Sequence, residues 1–291
     1  MFRSPRIAIA AGIALALTAW PTLAQEPNFY VEMKPDVANC GDPSYENAVK
    51  NGISVGFNVN PPETYQDENK QPAGIDWEIN KAVLDLLGIK KINVVWVPWE
   101  SIIPSLLSHR IDTIGADIHV TAERLKVISF SGPAWWYGPV LIVQKGNPLN
   151  ITSYDQLKGK KVGTITGSAA DLYLRRIDVQ TNEFKQEVDE LQSLNQGRLD
   201  AVLEDDVVYK QFDKENPNNN LDPLWSIPVP TDIIQGGGYG MARYGLRKED
   251  CSLRAAYTGA LAEIRASGVV SSILKKYGLS DRNLVMFTLH P

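Results

Sequence analysis

Two stretches of this 291-residue chain carry the same pattern at a constant offset of 88 residues. Ser105-Leu106, Arg110, Asp112 and Asp117 recur as Ser193-Leu194, Arg198, Asp200 and Asp205. Ile111 is matched by Leu199, Thr113 by Ala201 and Ile114 by Val202. Each copy reads as a helix, a tight turn, a buried strand and an acidic residue at the strand's carboxyl end. A chain built on such a pair is expected to form two similar α/β lobes. Ligands of open α/β sheets bind beyond the carboxyl ends of the strands. Two such ends facing one another would enclose a cleft, with Asp117 and Asp205 looking into it from opposite sides.

The local patterns support that frame. Ile53, Val55 and Phe57 alternate with Ser54 and Gly56, a short strand, and Pro61-Pro62 marks a loop after it. Ile79, Val83, Leu86 and Leu87 define one apolar helical face that Gly88 can end. A β-branched run from Ile92 to Val97 predicts a second strand. A helix is expected over 99–107 with Ile102, Ile103, Leu106 and Leu107 inward, then a buried strand over 111–116. Thr121 can cap a helix over 122–127. The second half repeats this grammar with strands over 161–166 and 201–203 and helices over 169–176 and 191–195. The glycine-dense stretch 236–240 reads as a flexible crossing between lobes that feeds a strand around Met241. Helices over 255–265 and 269–276 close the chain.

Composition narrows the function classes. With 44% apolar and 22% charged residues, the chain has material for about two ordinary domains and is not of the disordered class. Its 29 Lys+Arg against 34 Asp+Glu give a net charge of -5, which supplies no bulk attraction to nucleic acid or anionic membrane. Residues 1–24 read as a secretory signal: Arg3 and Arg6 precede an apolar run from Ile7 to Leu17, and Thr22-Leu23-Ala24 offers small residues before Gln25. That run falls short of the ~20 residues a membrane span needs, so the mature protein is expected in the periplasm without a membrane anchor. In an oxidising compartment the two cysteines, Cys40 and Cys251, suggest one disulfide, the alternative being two buried thiols. With three His and no Cys-x-x-Cys or His-x-x-x-His spacing, no metal site is expected. Neither a nucleophile elbow nor a Walker A loop is found, and no cofactor is expected.

The remaining chemistry lies at strand ends and helix starts. Arg124 opens a helix directly after a buried strand, where its guanidinium could fork onto a carboxylate. Gly167-Ser168 opens another helix, whose free N–H groups suit an anion. Trp99, after Pro98 at a strand end, is the best stacking candidate. The aromatic run Trp135-Trp136-Tyr137 is more in keeping with core.

Several motifs in order carry a resemblance: Gly74-Ile75-Asp76-Trp77-Glu78-Ile79, Trp99-Glu100-Ser101-Ile102-Ile103-Pro104-Ser105-Leu106, Arg110-Ile111-Asp112, Thr121-x-x-Arg124, Phe130-Ser131-x-Pro133 and Leu157-Lys158-Gly159-Lys160-Lys161-Val162-Gly163. From about Ile53 to Gly278 the chain resembles the polar amino-acid type of extracellular solute-binding proteins, family 3, the capture subunits of ABC importers. The resemblance implies a two-lobed type II periplasmic-binding-protein fold, with two α/β lobes on a two-strand hinge. Lobe 1 would comprise 25–137 and 239–291, and lobe 2 would comprise 138–238. It also implies a monomer whose partners are a small polar ligand and a membrane permease. Because lobe 1 would be built from both chain ends, Cys40 and Cys251 could meet there. Motif by motif, Arg124 matches the family's carboxylate-binding arginine, Asp205 its ammonium-binding acid and Trp99 its stacking aromatic. Asn58 matches a polar first-lobe contact and Ser168 a second-lobe contact.

The departures bear on the ligand. His119 stands where the family usually has a small polar residue, and Asp117 where a small one is common. Ala169 replaces a frequent Thr, and Glu63 replaces an aromatic after Pro61-Pro62. Glu63, Asp117 and His119 therefore join the candidate ligand residues, and Glu204 adds charge beside Asp205. Like charges around a dry site repel unless a cation lies among them, so a ligand with at least one cationic nitrogen is expected. The alternative is a cyclohexadienyl or prephenate dehydratase-like enzyme on the same scaffold, with cleft carboxyls serving as acids and bases.

Overall fold

The computed structural model describes residues 40–235, 239 and 241–285. The signal-like segment 1–24 lies outside the described residues, as does most of the glycine-dense stretch. In chain order the first elements are α1 (Ser44–Asn51), β1 (Ile53–Phe57), β2 (Tyr65–Gln66), β3 (Pro72–Ala73), α2 (Ile75–Leu86), β4 (Ile92–Trp96), α3 (Ile102–Leu107), β5 (Thr113–Ile118), α4 (Ala122–Val127) and β6 (Ser129–Phe130). Then come β7 (Pro139–Gln144), β8 (Val162–Ile165), α5 (Ala169–Arg176), β9 (Thr181–Phe184), α6 (Glu187–Asn195), β10 (Ala201–Asp205), α7 (Asp206–Glu215), β11 (Leu221–Pro223) and α8 (Thr231–Gln235). The last are β12 (Arg243–Leu246), α9 (Cys251–Ala266) and α10 (Val269–Lys276).

Two five-stranded sheets result, in the orders β4-β1-β5-β12-β6 and β11-β7-β10-β8-β9. Each has three parallel strands, β4-β1-β5 in one and β10-β8-β9 in the other, extended by two antiparallel strands. The chain leaves the first sheet after Phe130, enters the second at Pro139, and rejoins the first at Arg243. This is the two-lobed α/β architecture expected from the repeated pattern.

The repeat is structural in detail. Asp112 accepts a hydrogen bond from the Ser54 amide at the start of β1 (2.9 Å), and Asp200 accepts one from the Lys161 amide before β8 (2.8 Å). The Arg110 amide donates to the Ser105 carbonyl and the Arg198 amide to the Ser193 carbonyl, both at 3.0 Å. The turn between them is left-handed in both copies, at His109 (φ 60°) and Gly197 (φ 73°). Each unit therefore uses its acid to tie the incoming strand to the neighbour it pairs with.

Some helical faces differ from the periodicity reading. Leu86 and Leu107 are 43% and 45% exposed. The inward face of α2 is instead Ile75, Ile79, Val83 and Leu84, with the polar Asp76 and Asn80 beside them. Asn80 is tolerated there because its amide donates to the Asp76 and Gly115 carbonyls while its oxygen accepts from the Tyr257 hydroxyl. The third strand runs two residues later than expected, and the strand expected around Met241 is β12. Thr121 caps α4 and Ser168 caps α5, each accepting from an amide three residues on.

The segment before α1 meets the start of α9. Cys40 and Cys251 form a disulfide with Cα atoms 5.4 Å apart, closing 211 residues of sequence separation. Beside it the Asp42 carboxylate accepts from the Ser252 amide (2.8 Å), fastening the segment before α1 to the start of α9. No described helix is long and apolar enough to cross a membrane.

Candidate functional site

The strand ends of both sheets converge on one cavity. All eight residues singled out from the sequence line it. Asn58, Glu63, Trp99, Asp117, His119 and Arg124 come from the first lobe. Ser168 at the start of α5 and Asp205 at the end of β10 come from the second. The structure adds Asn60, Tyr137, Glu187, Glu204 and Tyr239. Tyr137 belongs to the aromatic run read as core; the run is divided, since Trp135 is buried behind the wall while Tyr137 reaches the cavity. Glu187 begins a helix that the sequence reading started four residues later, so its place had no local signal.

Arg124 connects the two walls. Its guanidinium, 94% buried, donates from Nη1 to the His119 carbonyl (2.8 Å) and from Nη2 to the Gly167 carbonyl (3.0 Å). The second bond crosses from one lobe to the other. Its Cζ lies 5.3 Å from the centroid of the Trp99 ring, within cation–π range. Burial pulls its pKa down to about 10, which leaves it cationic at neutral pH.

The first-lobe acids are held by backbone. The Pro62 and Glu63 carbonyls accept from the Ile75 and Asp76 amides at the start of α2, which locks the 60–64 turn onto that helix. Gly74 makes this possible: its φ is 114°, and a Cβ there would lie 2.2 Å from the Glu63 carbonyl oxygen. Asn60 donates to Glu63 Oε2 (2.6 Å), while the buried Oε1 has no hydrogen-bond partner. The Asp117 amide donates to Asp76 Oδ2 (2.9 Å), and the buried Asp117 carboxyl also meets the Asp76 carboxyl and the Tyr137 hydroxyl. Asp76 is the anchor behind this wall. Its Oδ1 accepts from Trp135 Nε1 (3.0 Å) and the Tyr244 hydroxyl (2.9 Å). Burial lifts the Asp76 carboxyl to about 6 despite those donors. Glu63 and Asp117 are pushed well above the carboxylate range, by burial first and then by neighbouring acids.

The second-lobe acids are equally crowded. Tyr239 donates its hydroxyl to Asp205 Oδ1, and the Asp205 amide donates to Glu204 Oε1 (2.7 Å). Burial raises Asp205 to about 8, the Tyr239 bond opposing, and raises Glu187 to about 7. Behind them Glu190 is fully buried, its carboxyl against that of Glu204. It and Glu204 are driven well up by burial, and the Glu190 charge pushes Glu204 further. His119 lies against two tyrosine rings tilted 45° to it, 4.8 Å from Tyr137 and 4.3 Å from Tyr239 by ring centroids. Ser168, expected to offer a hydroxyl or an amide to a ligand, has its hydroxyl engaged by the Asp171 amide at 3.0 Å as a helix cap.

Among the described lining residues there are thus five carboxyl groups and one guanidinium. Such a cavity accepts hydrogen bonds and favours N–H donors carrying positive charge. Among the described residues, the one grouping with metal-ligand geometry is Cys40, Asp42 and Cys251. Its two sulfurs are joined to each other, which removes the thiolates a metal would need.

Comparison with known proteins places the chain. Residues 53–280 match the family model of bacterial extracellular solute-binding proteins, family 3. The chain is 30% identical over 222 residues to the lysine/arginine/ornithine-binding periplasmic protein of Escherichia coli (strain K12), covering 74% of this chain and 83% of that one. It is 28% identical over 280 residues to the L-arginine-binding protein of Pseudomonas aeruginosa, covering 94% of this chain and 96% of that one. An ancestral arginine-binding protein solved with arginine superposes with a TM-score of 0.67 at 30% identity, over 77% of this chain and 97% of that one. With the two-lobed fold and a cavity walled from both lobes, the conclusion is that this protein belongs to the bacterial extracellular solute-binding proteins, family 3.

Proposed function

We propose that the protein is the periplasmic solute-binding subunit of an ABC importer and that it captures a small nitrogenous solute bearing positive charge. One observation carries the reading: five carboxyl groups and one guanidinium wall a cavity built from both lobes. Desolvated carboxylates there are stabilised by a cationic guest, and the faces of Trp99, Tyr137 and Tyr239 favour ammonium or guanidinium over a neutral group. The relatives named for lysine, arginine and ornithine are in keeping with this charge preference. Residues 1–24 would direct export and be removed. Lobe 1 would comprise 25–137 and 239–291, and lobe 2 would comprise 138–238. Closing and opening between these lobes would present the loaded state to a membrane permease. The Arg124–Gly167 bond supports this as a latch of the closed form.

The test is a thermal-shift screen against amino acids, amines, guanidino compounds, sugars and dicarboxylates, followed by calorimetry and small-angle scattering on the hits. Amines or guanidines should stabilise the protein and compact it. Tight binding of a neutral sugar or an amine-free dicarboxylate, with no response to cationic nitrogen, refutes the reading. Turnover of prephenate would put the chain among dehydratases instead.

A further inference from the structure

The cavity's acids form two separate poles, one on each lobe. On the first lobe, Glu63 presents a buried carboxyl oxygen with no hydrogen-bond partner, Oε1, and the buried Asp117 carboxyl lines the same wall. Asp76 adds a third carboxyl directly behind, bonded to the Asp117 amide. On the second lobe, Asp205, Glu204 and Glu187 line the cavity, backed by Glu190. A guest cation favours the ionised form of these acids, which only accepts, so the buried Glu63 Oε1 then calls for a donor from the guest. On the second wall Asp205 already accepts from Tyr239 and Glu204 from the Asp205 amide, so that pole calls for positive charge.

The single lining guanidinium already has two of its five N–H groups engaged. Arg124 spends one N–H on each of two backbone carbonyls, and its plane covers Trp99. Its bond to the Gly167 carbonyl joins the lobes without any group from a guest. A carboxylate on the guest would face five lining acids at close range. Like charges in a water-poor cavity repel strongly. An amino acid with a basic side chain brings two cationic nitrogens and one such carboxylate; the same skeleton without the carboxylate keeps both nitrogens and removes the conflict.

We propose that the solute is a dication without a carboxylate, a diamine or guanidino-amine, with one cationic nitrogen held by Glu63 and Asp117 and the other by Asp205 with Glu204 and Glu187. This deepens the proposed function and rests on it. Arg124 then serves as the interlobe latch, and Trp99, Tyr137 and Tyr239 supply faces for the nitrogens and the methylene chain between them.

The experiment uses guests that differ by one carboxylate. Calorimetry with the mature chain at neutral pH compares agmatine with L-arginine, and 1,4-diaminobutane with L-ornithine. In at least one pair the decarboxylated member should bind about tenfold or more tightly. Any smaller ratio in both pairs overturns the proposal, as does failure of all four to bind protein that melts cooperatively. Binding of the amino acids in preference leaves the proposed function standing and removes only the dication. A second measurement compares agmatine with butylguanidine, which lacks the second cation. Glu63→Gln with Asp117→Asn, and in a second protein Asp205→Asn with Glu187→Gln, should each weaken agmatine, and one of the two pairs should weaken butylguanidine less. Equal losses for the two guests in both double variants overturn the assignment of two poles.

Discussion

Replacing Asp205 by Asn should flatten the pH dependence of the ligand-free protein's stability. Asp205 is raised from an ordinary 3.8 to about 8, because the folded protein withdraws it from water. Between those two values the folded state holds a proton that the unfolded state has lost. Stability conferred by that proton is therefore present at low pH and is lost as pH rises toward 8. One pKa unit corresponds to ~1.4 kcal/mol. Integrated from pH 5 to pH 8, a shift of this size gives a ceiling of about 3–4 kcal/mol. Asp205 opens partly onto the cavity, where water screens it, so we expect about 2 kcal/mol. In Asp205→Asn the Tyr239 hydroxyl keeps an acceptor while the titrating proton is gone. Urea melts at pH 5 and pH 8 read the effect. Wild type should lose about 2 kcal/mol more than Asp205→Asn over that interval. Glu187, Glu63, Asp117 and Glu204 push in the same direction and remain in both proteins, so the difference reads Asp205 together with its charge coupling to Glu63, Asp117 and Glu204. Equal slopes, or a wild type that gains on the variant as pH rises, would refute the reasoning.

Arg124→Ala removes two hydrogen bonds made by a buried charge and the contact with Trp99, and should weaken binding of the best amine hit by about 2–5 kcal/mol. Arg124→Lys should recover only part, since a single ammonium does not reproduce the fork that reaches both carbonyls; calorimetry on folded variants decides, and unchanged affinity in Arg124→Ala counts against the latch. Cys40→Ser with Cys251→Ser frees a loop of 211 residues' separation and should cost up to about 5 kcal/mol on the chain-entropy model. Denaturant melts of wild type should shift with reductant, and those of the double variant should not; a wild type indifferent to reductant contradicts this.

Much of the molecule follows from short-range chemistry along the chain. Alternating apolar residues place β1, and Thr121 and Ser168 cap helices through amides three residues away. The repeated Arg-aliphatic-Asp segment predicts two lobes because each copy carries its own turn and its own acid to tie the next strand. The strand ends, and with them Asp117 and Asp205, take their place in the cavity from that register. What the sequence alone left open depends on which surfaces meet. Asp76 is buried because Trp135 and Tyr244, 59 and 168 residues away in sequence, supply donors. Leu86 and Leu107 are exposed because the helix faces that pack are set by neighbours and not by apolarity alone. Glu187, Glu190 and Tyr239 crowd Asp205 only once α6 and the returning chain have docked on the second sheet. Arg124 shows the division most plainly: its helix position is local, but its reach to Gly167 exists only where the two lobes come together.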